Sequence, residues 1–340
     1  MLAHPFFFVK FCKNLSNGCI HLTVTGKYDI LINNLYTKEK IMQKFAIISD
    51  SCGNLDAELR EKYDLHYIPN SFYYMDEEHL DDTDWQDVPL KDFYDYLRAG
   101  NRIVTSQISA VRCQETFEKF LQEGYDILSL SCPEVLSSSV NVCRNTAAKL
   151  LEKYPERKII CIDTTISGGG LTLLCVQAAK LRAEGKTLEE TAQWVEENKK
   201  HIHQEGSVED LAYLKRAGRI SASKALLGTL FHVKPMVVSD IHGYNVSVEK
   251  VKGRQNSFSR VIERVAEKYV PREDIDIYIS QAECEAEVLT LRKDLAEKLN
   301  LPEERIHIGK LNAVMSASVG PGMFGVFFYG VENTFDSKVN

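Results

Sequence analysis

From residue 44 onward, short apolar runs alternate with amphipathic helical segments, and this alternation commits the chain to an α/β architecture. FAIISDS (45–51) reads as a strand that runs into a polar turn. LDAELREKY (55–63) reads as a helix with Leu55, Leu59 and Tyr63 on one face. LHYIPNSFYYM is a second extended run, interrupted at Pro69, and EEHLDDTDWQDVP reads as an acidic loop whose carboxylates lack calcium-loop spacing. Helices are expected over 90–100, 111–123, 138–153, 169–184, 187–203, 256–269 and 284–299. Strands are expected over 125–132 and 158–164 and at DIYIS and RIHIGKL, with a hairpin about His242-Gly243. A boundary near residue 165 divides this pattern into an N-terminal α/β domain (44–165) and a C-terminal α/β domain (166–333).

A chain of 340 residues is long enough for two buried cores. Its formal net charge of −7 argues against nonspecific nucleic-acid binding, which needs a basic face. No apolar run reaches the roughly 20 residues of a membrane-spanning helix, so no stable membrane insertion is expected. The nine cysteines are scattered without a C-x-x-C pair. Several, such as Cys161 in KIICID and Cys175 in LTLLCV, sit in apolar runs as small hydrophobes. The expectation is a reducing cytoplasm, without a disulfide framework or a zinc site. Residues 1–43 are expected to lie outside the fold. MLAHPFFFVKFCKN is too short an apolar run for a signal peptide and has no basic residue ahead of it. Met42, which opens MQKFAIISDS, is the expected native start, with residues 1–41 as upstream translation.

Five polar segments at element ends carry the candidate chemistry. Thr105-Ser-Gln-Ile-Ser109 offers three hydroxyls and an amide at a helix entrance, where unpaired N–H groups and the dipole favour an anion. Taken alone it reads better as an N-cap, with Ser109 as the capping residue. Leu136-Ser-Ser-Ser139 repeats the arrangement before the next helix, and Ser139 reads best as that helix's cap. Thr164-Thr-Ile-Ser-Gly-Gly-Gly170 lacks both the dinucleotide-binding spacing and a Walker lysine. Its glycines admit close approach by a ligand or by a neighbouring element. In Asp210-Leu-Ala-Tyr-Leu-Lys-Arg-Ala-Gly-Arg-Ile-Ser221, Leu211 and Leu214 form a narrow stripe, Gly218 ends the helix and Arg219 projects from the turn. The fifth segment is Ser318-Val-Gly-Pro-Gly322. No G-x-S-x-G elbow occurs, and the His201-Ile-His203 pair lacks partners at metal spacing, which leaves it surface or core roles.

Together these segments resemble the signature of the DegV family, over about residues 44–330. The resemblance implies a two-domain fold, an N-terminal Rossmann-like parallel-sheet domain and a C-terminal mixed-sheet domain, with a lipid site between them. It implies a lipid-binding carrier without catalysis or cofactor of its own, acting in phospholipid metabolism in the cytoplasm. Such a carrier holds a long-chain fatty acid in a buried tunnel and presents its carboxylate to the catalytic subunit of a fatty acid kinase, which forms the acyl phosphate. By position, Thr105, Ser106, Ser137 and Ser318 would contact the carboxylate. Ser167, Gly168, Gly320 and Gly322 would shape the loops around the ligand head, and Arg219 would meet the partner or the phosphate. This chain departs from the family pattern at Ile108 (usually proline), Ser138 (usually glycine), Cys132-Pro-Glu-Val135 and Ser318 (usually histidine). A serine there donates only a neutral hydrogen bond, whereas imidazolium adds charge.

The residue types suit such a ligand. An acyl chain gains roughly 0.8 kcal/mol per buried methylene, about 10 kcal/mol gross, less ordering and association costs. Its carboxylate costs several kcal/mol to bury unless hydrogen-bonded. FHVKPMVV and MFGVFFYG could line a tunnel or simply fill a core. Two rival readings are an enzyme for a small phosphorylated or carboxylated substrate, using the glycine loop and Arg219, and a lipid-sensing regulatory module.

Overall fold

The computed structural model describes residues 44–220 and 232–339. The 1–43 extension, Ser221 and Phe231 of FHVKPMVV lie outside the described residues.

The first sheet is parallel, in the order β2-β1-β6-β7, with β1 at Phe45–Asp50, β2 at Leu65–Ile68, β6 at Asp126–Ser131 and β7 at Ile159–Asp163. β1 and β6 are buried at every position, as central parallel strands covered on both faces must be. Side chains alternate along each strand. Ala46, Ile48 and Ile127 therefore pack with Phe117 and Leu121 of α3 (Ala110–Gln122) and with Cys143, Ala147 and Leu150 of α4 (Ser139–Lys153). Phe45, Ile47 and Leu128 face the other way, into a core that includes α5 (Gly169–Ala183). α1 (Ala57–Tyr63) joins β1 to β2; the Asp56 side chain caps its first turn, and Asp64 ends it in the left-handed conformation.

α5 is buried along nearly its whole length, consistent with a sequence that is apolar all round. Its far side meets the second sheet, a mixed one in the order β10-β9-β8-β13-β11-β12. Those strands are β8 (Ile202–Ser207), β9 (Val233–Ser239), β10 (Asn245–Lys252), β11 (Ile277–Gln281), β12 (Ile306–Lys310) and β13 (Phe324–Tyr329). α8 (Arg254–Lys268) and α9 (Glu285–Leu299) cover its outer face, with Phe258, Val261, Val288 and Leu291 against Ile277, Ile279 and Phe324. The third sheet is small and antiparallel, β4-β3-β5, from Ser71–Tyr74 (β3), Glu77–Leu80 (β4) and Val104–Ser106 (β5). Its Phe72 packs edge-on to Phe93 of α2 (Leu90–Arg98). The buried Tyr94 hydroxyl lies 2.7 Å from Ser316 Oγ in α10 (Ala313–Val319).

The expected helix over 187–203 breaks. α6 spans Leu188–Asn198, and a 3-10 turn at Lys199–His201 leads into β8. The polar string IHQEGS becomes a fully buried strand because Glu205 meets Arg264 and Lys268 of α8. His201 and His203 meet the carbonyls of Gly330 and Val331, which fits a satisfied-core role. β4 lies within the segment read as an acidic loop, β5 runs into the Thr105 segment as far as Ser106, and α10 has no counterpart among the expected helices. Both strands are short and largely exposed, and main-chain pairing to β3 holds them. No helix among the described residues is long and apolar enough to cross a membrane.

Candidate functional site

In an open parallel sheet the ligand crevice lies beyond the carboxyl ends of the strands, where the strand order reverses. Here that point falls between β1 and β6, since β1 continues to β2 on one side and β6 to β7 on the other. A cavity of about 60 Å³ opens there. Each parallel strand delivers a residue to its wall: Cys52 after β1, Asn70 after β2, Cys132 and Ser137 after β6, and Ser167 after β7. Thr105, Ser106 and Ser318 close the polar side, and Leu214, Val314 and Val319 supply an apolar one. A neighbouring polar cavity of about 90 Å³ shares Thr105, Arg219 and Ser318 and adds Arg102 and Arg216.

Asn70 organises the hydroxyl cluster. Its Oδ1 accepts from Ser51 Oγ at 2.8 Å, and its Nδ2 donates to the Ser106 carbonyl at 3.2 Å and to Ser139 Oγ at 3.5 Å. Ser139 Oγ also accepts from the Ile108 N–H at 3.4 Å and lies 2.9 Å from Ser137 Oγ. Ser139 is thus no cap: it is the first residue of α4 and joins three segments, whereas Ser138 occupies the cap position without a side-chain bond. Ser109 does cap α3, accepting from the Arg112 N–H at 3.1 Å. The hydroxyls of Thr105, Ser106 and Ser167 have no protein hydrogen-bond partner among the described residues. Three donors thus face the cavity beside the amino end of α4, where the helix dipole favours an anion. Ser318 Oγ bonds back to the Val314 carbonyl within α10, at 3.3 Å.

Arg219 does not project into solvent. Asp210 caps α7 (Leu211–Ala217), and Gly218 ends it at φ +69°. The half-buried Arg219 then turns its Nε–H onto the Leu136 carbonyl at 3.0 Å, beside Ser137. Its own carbonyl accepts from Asn245 Nδ2 at 3.1 Å.

The glycines have a different placement from the hydroxyls. Gly168, Gly320 and Gly322 are not among the lining residues described above. A Cβ on Gly169 would lie 2.7 Å from the Phe327 ring, so the 168–170 glycines serve the close packing of α5 on the second sheet. A Cβ on Gly320 would lie 2.3 Å from the Tyr213 ring, so this glycine lets α7 approach α10.

Asn70, Cys52 and Cys132 carry no local motif. Their common signal is position, directly after strands of one parallel sheet. Asp50, buried at the end of β1, accepts from the Cys52 N–H through Oδ1 and from the Cys132 N–H through Oδ2, both at 3.0 Å. Burial pushes its carboxyl above the ordinary range against these hydrogen bonds, and the thiols of Cys52 and Cys132 are raised as well.

Comparison with known proteins agrees with this architecture. A family model described as "Uncharacterised protein, DegV family" matches residues 44–331. A DegV domain-containing protein of Clostridium perfringens is 33% identical over 289 residues, covering 85% of this chain and 98% of its own. A DegV family protein from Thermus thermophilus, described for its fatty-acid binding, superposes with a TM-score of 0.75 at 25% identity, covering 85% of this chain and 100% of its own. The fold is shared by a Bacillus subtilis protein described as DegV, a fatty acid binding protein, with a TM-score of 0.70 at 24% identity over 85% of this chain and 99% of its own. The chain belongs to the DegV family.

Proposed function

We propose that this protein binds a long-chain fatty acid, with the carboxylate in the cavity beyond β1 and β6, and presents it to a separate kinase for acyl-phosphate formation. The observation that carries the reading is the convergence of five hydroxyls, from Thr105, Ser106, Ser137, Ser167 and Ser318, on one cavity with an apolar side. Neutral donors beside a helix amino end hold a carboxylate without a competing salt bridge, and they leave one of its oxygens available to accept a phosphoryl group. Arg219 stands at the rim between the two cavities, in reach of a docked partner. The fatty-acid-binding description of the Thermus thermophilus relative supports the same ligand class.

A volume of about 60 Å³ accommodates a head group and falls below the roughly 300 Å³ at which ligand pockets begin. The acyl chain therefore takes its room beyond Leu214, Val314 and Val319, where packed apolar side chains part to admit it. Native mass spectrometry of the purified protein, followed by organic extraction, tests the ligand. A co-purifying fatty acid of defined length is expected, and a protein that is empty and takes up no added fatty acid would reject the reading. The kinase step is tested separately, by following acyl-phosphate formation from loaded protein, kinase and ATP.

A further inference from the structure

Beneath the hydroxyl cluster lies a second group of potential ligands. The Sγ atoms of Cys52 and Cys132 and a carboxylate oxygen of Asp50 all lie within 4.8 Å of one another. All three residues are buried, at 5%, 2% and 2% exposure, yet both cysteines border the cavity. We propose that Asp50, Cys52 and Cys132 form a site for a thiophilic divalent cation of the zinc class, with its fourth coordination position open to the cavity.

The donor set is the soft-and-borderline combination that selects such ions: two sulfurs and one oxygen, in a three-ligand arrangement that leaves room for water or a ligand oxygen. Asp50 is held in place, since each of its oxygens accepts a main-chain N–H from one of the two cysteines. The same bonds bring the two thiols to the carboxylate, because they tie the ends of the adjacent strands β1 and β6 together. Asp50 has no cationic side chain in contact among the described residues. A buried carboxylate in that position is costly unless it is protonated, hydrogen-bonded or a metal ligand. The other close thiol pair, Cys113 and Cys143 at 3.9 Å, has no carboxylate within ligand distance among the described residues and does not line the cavity. The cation therefore belongs to the first pair.

Binding balances as one cation taken up and the two thiol protons released to solvent, together with the carboxyl proton where Asp50 carries one. The site does not depend on the cavity's ligand being a fatty acid; it requires only that the fourth position face the cavity.

The test is titration of the lipid-free, reduced full chain with Cd²⁺, read by thiolate-to-metal charge-transfer absorption and by proton release. One equivalent should saturate the band, at least two protons should appear per ion, and Zn²⁺ should compete. The band should vanish in the Cys52→Ser/Cys132→Ser double variant and persist in Cys113→Ser/Cys143→Ser. Asp50→Asn, with both thiols intact, should weaken binding at least tenfold, and circular dichroism checks that each variant is folded. No band in the folded chain, or a band that survives loss of Cys52 and Cys132, overturns the site. Because the readout is taken without lipid, failure of fatty-acid uptake is a separate result.

Discussion

The Arg219 Nε–H donates to the Leu136 carbonyl oxygen at 3.0 Å, so the end of α7 is tied to the turn that carries Ser137. Removing the guanidinium breaks that tie and takes a positive charge from the rim, but it leaves every cavity hydroxyl in place. Arg219→Ala is expected to reduce kinase-dependent acyl-phosphate formation more than tenfold, while fatty-acid affinity changes by about threefold or less. Steady-state phosphorylation and ligand titration on the same preparation check this. The opposite ranking, lipid binding abolished first, would place Arg219 among the groups that hold the carboxylate.

Thr105 pairs its main chain with Phe72 in the third sheet, while its hydroxyl has no protein partner among the described residues. Thr105→Val therefore removes a donor while keeping the branched shape, and stability should hardly change. A hydrogen bond to a charged group contributes roughly 1.5–3 kcal/mol, so fatty-acid affinity should fall about tenfold or more. Calorimetric titration with a fatty acid decides it: an unchanged affinity would show that the carboxylate does not reach this hydroxyl.

Much of this fold was legible because its signals are local. The apolar runs of β1 and β6 and the all-round apolarity of 169–183 report burial on both sides, and the structure puts those segments at its centre. The hydroxyl segments were visible because they fall where strands end. β8 was not legible: IHQEGS is polar, and it is a buried strand only because Arg264 and Lys268, some 60 positions away, meet Glu205. Asn70 and the Cys52–Cys132 pair were missed for the same reason. Their partners lie on other segments: the parallel alignment of 45–50 with 126–131 joins the two cysteines, and that of 45–50 with 65–68 sets Asn70 beside Ser51.

Glu205 is fully buried and joined to Arg264 through two contacts, at 2.6 and 3.2 Å, with Lys268 as a second partner. Removing Glu205 strands Lys268 and leaves Arg264 only the more distant Glu249, at 3.8 Å, a loss of about 3–5 kcal/mol. Glu205→Ala should lower the unfolding free energy obtained from urea titration by that amount. Glu205→Ala combined with Arg264→Met should recover part of the loss, since the second change removes one stranded charge. Equal destabilisation by the single and double variants would show that the cost comes from lost packing.

Asp81 is fully buried behind the cavity wall and accepts from the Val314 N–H at 3.3 Å. Burial is the largest influence on its carboxyl and pushes it up to about 7, against smaller opposing hydrogen bonds. The folded state thus holds this proton more tightly than the unfolded chain, whose carboxyl titrates at the ordinary value of 3.8. Its contribution to stability is full below that ordinary value and is lost as pH rises toward about 7. The slope approaches about 1.4 kcal/mol per pH unit inside this window. Asp50 is raised as well and adds a slope of the same sign, so the measurement is the difference between the parent chain and Asp81→Asn, in chelator. Urea unfolding from pH 5 to 8 should show the parent losing stability relative to Asp81→Asn as pH rises, with the gap levelling off above pH 7. A pH-independent gap would mean that Asp81 stays ionised throughout, and that its main-chain hydrogen bonds outweigh the cost of its burial.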